Sequence, residues 1–83
     1  MNKTVITYSI GAVAKTVGIP KYKLRNWCDR YLTHIQKIEI GNTQHRRFAE
    51  KDVKIIKRID QLMKDGHTLK SAAEKSIKQY KEA

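Results

Sequence analysis

The sequence predicts a mainly α-helical fold with one small β-hairpin, in the order helix, helix, hairpin, helix, helix. Three observations lead there. Apolar residues recur at helical spacing in four separate segments, one stretch alternates with a period of two around a Gly-Asn dipeptide, and Gly or Pro punctuates the joints. A chain of 83 residues is expected to form one domain, 1–83, without room for a second core.

The stretch Asn2–Tyr8 (NKTVITY) is rich in β-branched residues and is expected to be extended. Ser9 then caps a helix in which Ile10, Val13, Ala14 and Val17 repeat at i, i+3, i+4 and i+7. Gly18 ends that helix as its left-handed C-terminal residue, and Ile19 follows as an apolar plug. Pro20 suits the first turn of the next helix, in which Leu24, Trp27, Cys28 and Tyr31 share one face. Two short helices joined by a Gly-containing turn of this kind form a helix-turn-helix.

Farther on, Ile38 and Ile40 alternate with Lys37 and Glu39, then come Gly41-Asn42 and the run HRRF. Alternation broken by a turn dipeptide predicts a hairpin, with Thr43 and Gln44 open between turn and strand. From Glu50 to Lys64 the period is helical again, through Val53, Ile56, Ile59, Leu62 and Met63. Asp65-Gly66 breaks it. Thr68 is the expected cap of a last helix carrying Leu69, Ala72, Ala73, Ile77 and Tyr80.

Charge narrows the function. The chain has 18 Lys and Arg against 8 Asp and Glu, a net +10, which suits a polyanionic partner. No apolar run approaches the ~18 residues of a membrane span, and the N-terminus lacks a signal-peptide core. The single cysteine, Cys28, cannot form an internal disulfide, which fits a reducing, cytoplasmic location. Neither a glycine-rich phosphate loop nor a nucleophile–base constellation is recognisable, so the chain is not read as an enzyme. His34, His45 and His67 lack metal-ligand spacing, and neither metal nor cofactor is expected. Cys28 reads as a buried structural thiol and Trp27 as a packing residue. Lys51, Lys54, Lys57 and Arg58, interleaved with Asp52 and Asp60, read as a solvated helix face. The last helix is too weakly amphipathic for a membrane-surface role.

The stretch YSIGAVAKTVGIPKYKLRNW resembles the opening of the MerR family of bacterial DNA-binding proteins. Tyr8, Ile10, Gly11, Ala14, Gly18, Ile19, Leu24, Arg25 and Trp27 match that family's pattern in order. HRRFAEKDVKIIKRIDQLMKDGHTLKSA resembles its later segment, so the likeness runs from about Tyr8 to Ile77. The resemblance implies a winged helix-turn-helix. A recognition helix at about 20–31 would enter the major groove, and a wing at about 36–48 would straddle phosphates or a minor groove. Carried over by position, Lys21, Tyr22 and Lys23 face the bases. Arg25 is the phosphate-binding arginine, Arg46 is the wing arginine, and His45 and Phe48 stand where aromatic wing residues are frequent. Asn26 replaces the usual aromatic, Cys28 a common acidic residue and Pro20 a frequent capping Ser. CDRYLTHIQKIEIGNTQ lacks the usual lead into the wing, which leaves Gln44 and His45 the least determined.

The expected function is sequence-specific binding of double-stranded DNA, chiefly in transcription regulation. Arg25, Arg46 and Arg47 would hold phosphates, Lys21, Tyr22, Lys23 and Asn26 would read base edges, and Gln44 and His45 would support the wing. A basic wing would favour a narrow minor groove. Lys70, at the start of the last helix, marks a second place for a phosphate beside free backbone N–H groups. One domain covers a short site, so a homodimer or a cooperative array on repeated half-sites is expected. The chain reaches Ala83 without a long dimerisation helix or effector domain, so no small-molecule effector is assigned, and a stand-alone domain and a fragment both stay open. Two alternatives use the same residues differently: a segregation or excisionase-like protein of a mobile element assembling on repeats, and a protein-interaction module with a degenerate helix-turn-helix.

Overall fold

The computed structural model describes residues 6–81. In chain order they form β1 (Tyr8–Ser9), α1 (Ile10–Val17), α2 (Lys21–Arg30), β2 (Lys37–Ile40), β3 (Thr43–Phe48), α3 (Glu50–Lys64) and α4 (Leu69–Lys81). The fold is a winged helix-turn-helix: four helices and a three-stranded antiparallel sheet in the order β1-β3-β2. Of the extended stretch expected at Asn2–Tyr8, residues 2–5 lie outside the described residues. Its end is the two-residue strand β1, with Tyr8 opposite Phe48 and Ser9 opposite Arg47.

The joints follow local chemistry. Ser9 accepts the Ala12 N–H at 3.2 Å and so caps α1. Gly18 ends α1 at φ 87°, a left-handed conformation that any Cβ would strain, and its N–H returns to the Ala14 carbonyl at 2.8 Å. Pro20 stands one place earlier than expected, in extended conformation at the N-cap of α2, where it offers no side-chain bond. The hairpin turn is Gly41-Asn42 alone, since Ile40 pairs with Thr43. Positive φ at Gly41 only, among those two, fits a type II′ turn, whose twist suits the strands it joins. Thr43 and Gln44 are therefore strand. At α4, Thr68 accepts the Ser71 N–H at 3.2 Å.

The core collects Leu24, Trp27 and Cys28 from α2, Val13 and Ala14 from α1, Phe48 from β3, Ile55, Ile56, Ile59 and Leu62 from α3, and Ala72 and Ala73 from α4. Each side chain of Leu or Ile size buried this way contributes about 1.5–3 kcal/mol. Leu32 and Ile35, in the non-helical segment after α2, are also buried. They lack a regular period, so the sequence pattern does not reveal them. The two alanines on α4 let it lie close on α3.

One expectation changes. Asp52 does not belong to the solvated face of α3: it is 5% exposed. One carboxylate oxygen accepts the Ala49 N–H at 3.0 Å, closing the start of α3, and the other lies 2.9 Å from His34 Nε2. A buried carboxylate needs such partners, and both oxygens have them. The alternation at residues 37–40 does form the strand β2, with its isoleucines at the surface. All four β2 residues are exposed, because the hairpin projects beyond the helices and only Phe48, at its base, is buried.

Burial raises the Cys28 thiol from 9.0 to about 11, against the opposing pull of the nearby Arg46. At pH 8 the folded chain thus holds far less thiolate than an exposed thiol would. Alkylation by iodoacetamide at that pH is expected to be much slower in the native chain than in denaturant; equal rates would show the thiol to be open. Ser76 is fully buried on α4, and among the described residues its hydroxyl has no partner. Ser76→Ala is therefore expected to raise the unfolding free energy by about 1 kcal/mol in urea titrations. A loss of stability would mean that the hydroxyl is bonded after all.

Candidate nucleic-acid interface

Helix α2 is amphipathic in the way a reading helix must be. Leu24, Trp27 and Cys28 are buried, while Lys21, Tyr22, Arg25 and Asn26 are exposed, Tyr22 at 73%. Such exposure leaves the tyrosine ring without a packing role inside this chain. The Lys21 stem crosses α1 at Gly11, where a Cβ would stand 3.2 Å from Lys21 Cε. Lys23 is half-buried, with its ammonium 5.7 Å from the centre of the Trp27 ring, a cation–π contact one helical turn away. Lys21 and Tyr22 are the freer of the three residues at the start of the helix.

Arg25 lies in a groove between α2 and the hairpin, lined also by Ile10, Lys37, Thr43, Gln44, His45 and Arg46. Four of the sequence-derived candidates, Arg25, Gln44, His45 and Arg46, therefore meet in one place. Lys37 joins them as the cross-strand partner of Arg46. Sequence reasoning passed over Lys37, treating it only as the polar half of an alternating strand. Its position beside Arg46 depends on the register of the hairpin, which the sequence leaves open.

The two adjacent arginines part company. Successive strand residues point to opposite faces. Arg46 bonds Asp29 of α2 with one guanidinium nitrogen, and its side chain is only 17% exposed against 63% for Asp29. This contact ties the wing to α2 and holds the Arg46 fork at the groove. Arg47 faces the other way and is tied to Thr7, the residue before β1, donating Nε to Thr7 Oγ1 at 3.1 Å and Nη2 to the Thr7 carbonyl at 2.9 Å. Arg47 is thus not brought to the groove. Lys70 is exposed on the first turn of α4, which packs against α3, and it does not line the groove either.

The cations of the hairpin sit at its base. Lys37, Arg46 and Arg47 lie there, next to His45, whereas residues 38–44 carry one charge, that of Glu39. The positive charge of the wing is therefore concentrated where it joins the helices. The wing's outer half carries no cation, and there Ile38 and Ile40 are exposed beside Glu39 and the uncharged polar residues Asn42, Thr43 and Gln44.

No helix among the described residues is long and apolar enough to cross a membrane. No curated protein sequence matches the chain. A family model described as MerR HTH family regulatory protein matches residues 8–76. That span runs from β1 into α4 and takes in α2, the hairpin and the groove between them. With most of its length matched in this way, and with the helix-turn-helix, wing and basic groove described above, the chain belongs to the MerR family of helix-turn-helix regulatory proteins.

Proposed function

We propose that the chain binds double-stranded DNA sequence-specifically and regulates transcription, working in the cytoplasm on nucleoid or plasmid DNA without cofactor or catalysis. Helix α2 enters the major groove, and the base of the hairpin lies over the flanking phosphates. The observation that carries this reading is the groove in which Arg25, Lys37 and Arg46, far apart in sequence, converge beside the exposed face of α2. Three cations at one place suit successive phosphates along a strand, and the guanidinium forks of Arg25 and Arg46 match phosphate oxygens in pairs. Phosphate contact supplies affinity and register, and Lys21, Tyr22 and Asn26 are the side chains exposed for reading base edges. Gln44 and His45 line the same groove and adjust the approach of the wing. One α2 helix covers a short site, so two or more copies bind neighbouring half-sites. The segregation or excisionase-like alternative needs the same contacts on a longer array.

The test is fluorescence anisotropy on mixed-sequence duplex DNA at several salt concentrations. Arg25→Ala with Arg46→Ala is expected to weaken binding and to make the plot of log K against log salt shallower by about one to two counterions. Lys57→Ala, on the exposed face of α3, leaves that slope unchanged. Absence of binding at ~50 mM salt, where non-specific contacts alone give a signal, would sink the proposal. The two hairpin arginines are expected to separate in the same assay. Arg47→Ala lowers the unfolding free energy by about 1–2 kcal/mol through the lost bonds to Thr7, with the salt slope kept. A slope loss as large as that of Arg46→Ala would bring Arg47 back to the DNA.

A further inference from the structure

Among the described residues, strand β2 has a free edge. It is bonded to β3 on one side, it is an outer strand of the sheet, and all four of its residues are exposed. Ile38 is 42% and Ile40 58% exposed, so these two β-branched side chains contribute nothing to the core. The ladder shows which backbone groups are unpaired. The Arg47 N–H donates to the Gln36 carbonyl at 2.9 Å, one step before the Lys37–Arg46 pair. Hydrogen-bonded and non-bonded pairs alternate along an antiparallel ladder. Ile38 and Ile40 therefore turn their N–H and C=O groups toward β3, while Lys37 and Glu39 turn theirs outward.

We propose that this edge pairs with the same edge of a second copy of the chain, β2 against β2, about a two-fold axis at Ile38. The outward groups of Lys37 and Glu39 restrict the symmetric registers. An axis at Glu39 sets Glu39 against Glu39, and an axis at Lys37 sets Lys37 against Lys37, like charges directly opposed. The axis at Ile38 sets Lys37 of each copy opposite Glu39 of the other, so that opposite charges meet and the outward backbone groups bond across the seam. It also brings the two Ile38 side chains together at a non-bonded position, where cross-strand side chains approach most closely. Ile40, two residues on, extends the same apolar face.

The size of the contact decides where it forms. Two strands of four residues fall far short of the ~1,000 Å² buried by a lasting interface. The +10 charge on each copy opposes association in free solution. On a duplex, phosphates offset that charge, and neighbouring copies meet at a high effective concentration. The edge therefore supplies cooperativity between bound copies and not a stable free dimer. It rests on the DNA-binding reading above and gives that reading a geometry: two domains wing to wing, related by a two-fold axis, on inverted half-sites.

Disulfide trapping on mixed-sequence duplex DNA tests the pairing, with anisotropy on the same reduced samples reporting DNA binding independently. Ile38→Cys is expected to form a covalent dimer, because non-bonded cross-strand pairs have Cα atoms ~4.5 Å apart, within disulfide reach. Ile40→Cys, displaced from its counterpart by about 14 Å along the strands, is expected to stay monomeric. Buried Cys28 supplies the background common to both. Adding Glu39→Lys to Ile38→Cys sets lysine against lysine and is expected to abolish trapping while DNA binding is kept. Retained DNA binding without trapping at 38, or equal trapping at 38 and 40, would overturn the pairing. Loss of binding by reduced Ile38→Cys, with wild type still binding, would put Ile38 on the DNA and overturn it as well. If wild type itself fails to bind, the DNA reading falls, and the pairing that rests on it falls with it.

Discussion

The register of β3 is the constraint on which the rest of this molecule depends. Phe48, fully buried, anchors the strand at the base of the wing. From that anchor the two-residue period of a strand assigns every other side chain of the hairpin to a face. Arg46 falls on the side of α2 and meets Asp29; Arg47 falls on the other side and meets Thr7. The pairing of β3 with β2 then sets Lys37 beside Arg46 and leaves the backbone groups of Lys37 and Glu39 at the free edge. A slip of one residue would exchange the roles of the two arginines and turn Phe48 to solvent, a loss of apolar burial large enough to exclude it.

The charges of the chain are organised on that frame. A net +10 describes long-range attraction and says nothing of where an anion settles. The local arrangement comes from Asp29, which draws Arg46 to α2 beside the groove that Arg25 and Lys37 also line. An ion pair with so exposed a carboxylate contributes about 0–1 kcal/mol to stability. Its consequence is orientation, since a guanidinium held on one side by a carboxylate still has donors to offer a phosphate. The family's common acidic residue is absent at Cys28, and Asp29, the next residue along α2, supplies an acid to the wing instead.

The wing divides into two functional halves for the same reason. Its base is basic and joined to the helices, and its outer half is uncharged apart from Glu39. On the readings proposed above, the DNA-contacting surface and the pairing edge share this hairpin and meet at Lys37, which lines the groove and also stands on the outer strand.

Much of the fold was legible in the sequence. The faces of α1, α2, α3 and α4, the caps at Ser9 and Thr68, and the stop at Gly18 all depend on neighbours within a turn, and local rules carry them. The turn at Gly41-Asn42 was legible for the same reason. The candidate site was legible in part: Arg25 and Arg46 are named by motif, and the groove contains both. What local rules could not supply is anything set by contacts between distant segments. The burial of Asp52 depends on His34, the division of labour between Arg46 and Arg47 depends on Asp29 and Thr7, and the place of Lys37 depends on strand pairing. The sequence by itself determined the helices, their apolar faces and the sign of the charge, because periodicity and capping act over a few residues. Only the tertiary structure decided which cations share a groove and which edge stays open, because those follow from the register between strands that meet across a turn.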